Sequence, residues 1–158
     1  MQTVKMRVIH SAGKKQRVVT FATAIAEAFK CQVDAAPPAF PCDKEKLVVI
    51  VMSIKGEPDD KLRRFCGELT KERALNTVLI VDGDPTSSGV QQIKETLKEA
   101  GTNVIEDIYS VSGGGFFAGK KISLEERTDI VKWVQGIIDK TFYKAEEKTD
   151  NQAEEASE

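Results

Sequence analysis

Four glycine-bearing segments of this 158-residue chain carry residue types that could hold a small anionic or cyclic ligand. The first, "HSAGKKQ", stands where a short apolar strand hands over to a long amphipathic helix. Ser11 and the backbone N–H groups of Ala12, Gly13, Lys14, Lys15 and Gln16 could donate to a phosphate. The helix N-terminus would add its partial positive charge, and the two lysines full ones. The same residues also make an ordinary strand-to-helix turn with exposed lysines, and a single glycine does not separate the two readings. His10, the one histidine, reads as a strand-end packing residue. No Ser or Cys beside it has an identifiable acidic partner, so no nucleophile–base set is assembled.

The other three segments are "SIKGEPD", "DGDPTSSG" and "SVSGGGFFAGKK". In "DGDPTSSG", Asp82 and Asp84 could hold a cation or ribose hydroxyls, while Asp-Gly-Asp-Pro is equally good turn chemistry. The triple glycine Gly113–Gly115 frees the backbone, Phe116 and Phe117 supply flat apolar area, and Lys120 and Lys121 supply charge. That segment reads either as a lid closing Phe116 or Phe117 over a ring, or as a long loop whose phenylalanines tuck under the last helix.

These segments need a scaffold, and the hydrophobic pattern supplies one. Strands are expected at 6–10, 31–34, 47–53, 77–83 and 103–111. Helices are expected at 17–29, with Val18, Phe21, Ala22, Ile25 and Phe29 on one stripe, and at 59–69, with Leu62, Phe65, Cys66 and Leu69. A third carries Val90, Ile93, Leu97 and Ala100 and ends at Gly101. The fourth opens on a Ser123/Glu126 capping box and carries Ile130, Trp133, Val134, Ile137 and Thr141. "AAPPAFPCDKEK", with three prolines, replaces a helix between the second and third strands. Strict alternation of strand and helix predicts an α/β fold, a parallel sheet with helices on both faces. "LVVIVMS" and "TVLIVDG" are apolar on both faces and belong in the centre; the mixed second and fifth strands belong at the edges. That is the flavodoxin-like order 2-1-3-4-5, a three-layer sandwich whose ligands gather at the carboxyl ends of the strands. All four glycine-bearing segments lie there.

The bulk properties narrow the classes. One domain is expected over 1–142, followed by an acidic, solvated tail over 143–158. With 23 basic and 25 acidic residues, no nucleic-acid or membrane partner is implied. The longest apolar run, 47–52, is a third of a membrane span of about 18 residues, and the N-terminus does not read as a secretory signal. Cys31, Cys42 and Cys66 lack metal or disulfide spacing and read as free thiols in a reducing cytoplasm. Dinucleotide (G-x-G-x-x-G), P-loop and nucleophile-elbow signatures are absent. So are the acidic residues of a two-component receiver and the first-loop cysteine of a small tyrosine phosphatase.

The chain resembles a flavodoxin-family domain over about residues 6–141. The resemblance is carried by "RVIHSAGKKQRVVTFATAIAEAF", "KLVVIVMSIKGEPDDKLRRFCGEL" and "TVLIVDGDPTSSGVQQIKETLKEAGTNVIED". The second of these is similar to the family's third strand, its loop and a Gly-x-Pro-x-x-x-Leu-x-x-Phe helix. The resemblance implies non-covalent binding of flavin mononucleotide (FMN) and electron transfer to or from a redox partner or reductase. The phosphate would sit on Ser11, Ala12, Gly13, Lys14, Lys15 and Gln16. The ring would lie between the loop of Ser53, Ile54 and Lys55 and the loop of Gly83 and Asp84.

The departures are specific. The first loop departs from the family's Ser/Thr-x-Thr-Gly-Asn-Thr: Ser11 matches and the threonines are gone. Ile54 stands where many relatives carry a ring-stacking Trp or Tyr, and the fourth-strand loop has no aromatic, which implies weak binding unless Phe116 or Phe117 substitutes. Lys14, Lys15, Lys55, Lys120 and Lys121 make the mouth basic. The expectation is therefore an electron carrier with weakly bound FMN. Its rival is an accessory protein of the same fold that has lost its own FMN site and assists a partner reductase, or binds another phosphorylated ligand in the basic mouth.

Overall fold

A computed structural model describes residues 4–11, 16–54, 56–111 and 122–143. Along the chain run β1 (Met6–His10), α1 (Gln16–Phe29), β2 (Gln32–Ala35), β3 (Glu45–Met52), α2 (Asp60–Gly67), β4 (Ala74–Asp82), α3 (Ser88–Ala100), β5 (Asn103–Val111) and α4 (Leu124–Ile138). The strands form one sheet in the order β2-β1-β3-β4-β5, every neighbouring pair parallel. This is the expected flavodoxin-like architecture. The expected tail, apart from Tyr143, lies outside the described residues.

Side chains alternate faces along a strand, so the unbroken apolar run of β3 serves two cores at once. Leu47, Val49 and Val51 join Val78 and Ile80 under α1 and α4. Val48, Ile50 and Met52 join Leu79 and Val81 under α2 and α3. Burying each such side chain fully is worth about 1.5–3 kcal/mol.

Several boundaries moved outward from the sequence pattern. β3 begins at Glu45, whose carboxylate is buried, accepts the Asp43 N–H at 2.8 Å and lies 3.4 Å from Arg7 Nε. β4 begins at Ala74, where Asn76 donates to the Lys46 carbonyl and accepts from Asn103. Past Ile138, α4 runs into a π-helical turn, Asp139–Tyr143. Between Thr77 and Leu79 the partner positions on β5 step from Val104 to Ile108, so β5 holds two extra residues. That irregularity falls on the charged "IED" of an edge strand, a usual way to keep an edge from pairing further.

The proline segment crosses the α2/α3 side of the sheet in place of a helix. Ala36 and Cys42 are buried there, and Arg7 Nη1 donates to the Phe40 carbonyl at 2.5 Å. Lys5 donates to the Asp43 carbonyl. Arg7 and Glu45 thus hold down a strap that has few backbone donors of its own.

At the carboxyl ends of the strands, two contacts lock the loops together. Arg17, in the first turn of α1, has its side chain 13% exposed; its Nε lies 3.7 Å from Asp82 at the end of β4, where the side chain is 7% exposed. Its Nη2 lies 3.7 Å from Glu126 in the first turn of α4, and its guanidinium stands over Phe21. Neither Arg17 Nε nor Asp82 Oδ1 has a hydrogen-bond partner among the described residues, so charge alone offsets the cost of burying the pair. The second contact is Gly89 on α3. A Cβ there would stand 2.5 Å from the Gly56 carbonyl oxygen and 2.5 Å from Ile54 Cγ2.

Two outcomes follow. Arg17→Met leaves a buried carboxylate without its cation and should lower stability by about 3 kcal/mol, and adding Asp82→Leu should recover most of that loss in urea unfolding. Gly89→Ala should lower stability by about 1–3 kcal/mol. Adding Ile54→Ala should recover only part of it, because the Gly56 carbonyl stays in the way.

Candidate functional site

The strand order reverses between β1 and β3, and the loops that leave these two strands open there. Ser11 stands at that point. Its N–H donates to the Val51 carbonyl at 3.0 Å, and its buried hydroxyl accepts the Ser53 N–H at 3.3 Å. Two expected site residues 42 positions apart are therefore in contact. The bond uses a lone pair of the Ser11 oxygen and leaves the hydroxyl proton to donate elsewhere. Gln16 is the first residue of α1 and is exposed, and the N–H groups of that first turn have no intrahelical acceptor. Ala12, Gly13, Lys14 and Lys15, between Ser11 and Gln16, lie outside the described residues, as do Lys55 and Phe116.

His10 is half-buried, with Nδ1 3.0 Å from the Ser11 carbonyl oxygen, while its own carbonyl accepts the Ala36 N–H. Both contacts are those of a strand-end residue. The three thiols are free and burial pushes all of them up: Cys31 and Cys42 to about 11, Cys66 to about 12. At neutral pH they are protonated and are not nucleophiles.

Ile54 packs against the α2/α3-side core, in contact distance of the close approach at Gly89. Gly83, at φ 137°, donates to the Val111 carbonyl and accepts the Ser110 hydroxyl at 2.8 Å, which ties the β4 exit to β5. Asp84 is exposed, and its carboxylate accepts both the N–H and the hydroxyl of Thr86, at 2.8 and 2.7 Å. These two bonds, the hydroxyl first, hold its carboxyl below the usual range. They contribute to the turn above the ordinary carboxylate range, and that contribution is lost as pH falls through the lowered value.

Asp82 turns inward to Arg17 while Asp84 caps its own turn, so the two carboxylates do not converge. The contacts of Asp84 in "DGDPTSSG" are those of a turn. Among the described residues no group of three His, Cys, Asp or Glu could hold a metal ion.

Sequence reasoning passed over Arg17, Asp82 as its partner, and Gly89. A signal existed for each. A cation in the first turn of a helix opposes the helix dipole and asks for a nearby carboxylate. A glycine just inside a helix costs about 1 kcal/mol against alanine, which is tolerable where two backbones must approach.

No protein-family model and no curated protein matches the sequence. Solved structures do. A cysteine-to-serine mutant of flavodoxin from Pseudomonas aeruginosa superposes with a TM-score of 0.52 at 16% identity, over 84% of this chain and 95% of that one. A flavodoxin from the domain Archaea gives a TM-score of 0.46 at 12% identity, over 82% of this chain and 99% of that one. Among the described residues no helix is long and apolar enough to cross a membrane. The likeness to the Pseudomonas protein is one of fold, and the fold of this chain is flavodoxin-like.

Proposed function

We propose that this protein binds FMN non-covalently and weakly at the carboxyl end of its sheet, and exchanges electrons with a redox partner or reductase. The observation that carries this reading is the contact between Ser11 and Ser53 across the point where strand order reverses, with α1 opening five residues after Ser11. A hydroxyl with a proton to give, a helix N-terminus and two lysines of the degenerate loop Ser11–Gln16 suit a phosphate dianion. When bound, FMN supplies the redox chemistry. The chain's own part is to hold the phosphate and, through Ser53, Ile54, Gly83 and Asp84, to border the ring. Weak binding follows from the aliphatic Ile54, which is packed on the core, and from a β4 exit that carries no aromatic from Gly83 to Ser87.

The packing of Ile54 also favours the second reading, an accessory protein of the same fold that has lost its FMN and assists a partner reductase. Both readings place the protein with a redox partner or reductase in the cytoplasm.

Titration of FMN with flavin-free protein separates them. Saturable quenching of flavin fluorescence at one FMN per chain is expected. Ser11→Ala with Lys14→Ala should weaken it about tenfold or more, the scale of a charge-assisted hydrogen bond. Riboflavin, which lacks the phosphate, should bind both proteins alike. No quenching at any FMN concentration would leave the accessory reading. Equal FMN affinity of the variant and the parent would move the phosphate away from the first loop.

A further inference from the structure

Three large apolar side chains stand exposed among the described residues, and two of them share one groove. Leu124 is 78% exposed and Val19 38%; both line a cleft of about 750 Å³ between the outer faces of α1 and α4. α1 and α4 each flank a strand of one parallel sheet and cover its same face, so they run in the same direction side by side. Small residues, Thr20, Ala24 and Ala28, form the α1 wall, which would let another helix come close.

The two walls differ in charge. The α1 wall carries Glu27, and the α4 wall carries Arg127 and Lys132. None of the three is in an ion pair among the described residues, although Arg17 of α1 pairs with Glu126 of α4. One wall is therefore acidic and the other basic, and the two exposed apolar residues, Val19 and Leu124, lie toward the N-terminal ends of the two helices.

We propose that this groove is an interface between two copies of the chain, related by a two-fold axis running along the helices. Such an axis lays α1 of each copy on α4 of the other at equal height. Leu124 then meets Val19 of the partner subunit, and Glu27 meets Lys132 of the partner subunit, each contact occurring twice. An axis across the helices would instead set α1 against α1 in reverse, placing Glu27 near the partner's Val19 with no opposite charge. Charge complementarity selects the lengthwise axis.

Light scattering coupled to size-exclusion chromatography of the full chain tests this. The expected mass at high concentration is twice 17.4 kDa. Leu124→Lys should give a monomer that keeps the parent's helical content and cooperative unfolding, since the side chain is exposed in the single chain. Glu27→Lys and Lys132→Glu should each weaken association about tenfold or more, because each opposes like charges. Mixing these two single variants, or combining both changes in one chain, should restore the dimer. A monomer at all concentrations up to about 1 mM overturns the proposal. So does a dimer that survives Leu124→Lys, or a charge exchange that fails to rescue.

Discussion

A parallel strand in the middle of a sheet has no face to spare for water, and β3 and β4 set the terms for the rest of this molecule. Both sides of each must be covered, and the chain covers them with α1 and α4 on one side and α2, α3 and a proline strap on the other. Because every crossover runs the same way, the loops leaving the strands collect at one end of the sheet, and the candidate site is a by-product of that topology. Ser11, Ser53 and Gly83 leave the same end of the sheet because they follow strands that had to be neighbours.

Coverage alone would leave those loop ends loose. The described structure ties them in pairs: β1 to β3 through Ser11 and Ser53, β4 to β5 through Gly83 and Ser110, and α3 to the β3 exit through Gly89. Arg17 reaches from α1 to β4 and α4 together. Ion pairs at 3.7 Å are poor substitutes for hydrogen bonds, and a buried Arg17 Nε without a partner is costly where only stability counts. Their setting, at the ends of three elements around one mouth, makes them positioning contacts first.

The fold was legible because its signals are local. "LVVIVM" and "TVLIVD" announce doubly covered strands. The helical stripes name Leu62, Phe65 and Cys66 of α2 and Val18, Phe21, Ala22 and Ile25 of α1, but include the half-buried Phe29 and pass over the buried Ala26. Where the reading fell short, the missing term was a contact distant in sequence. Glu45 looked like a residue outside a strand until Arg7 neutralised it, and the start of β4 depends on Asn76 meeting Lys46 and Asn103. The site was less legible for the same reason. Ser11 could be picked as a strand end, but its link to Ser53 spans 42 positions, and Ile54 turns to the core because Gly89 makes room for it. Phe116 and the residues between Ser11 and Gln16, on which the phosphate and ring readings lean, lie outside the described residues.

The strap gives the sheet two unequal margins. β5 is nine residues long and is backed by α3 and α4, whereas β2 has four residues, pairs with β1 alone, and connects onward through a segment with three prolines. Local opening starts where few backbone bonds and little apolar area must be given up. Solvent deuterons will therefore enter at β2 long before they reach the interior of β4. The molecule can breathe at that margin while the mouth, anchored on the strands beyond it, keeps its shape.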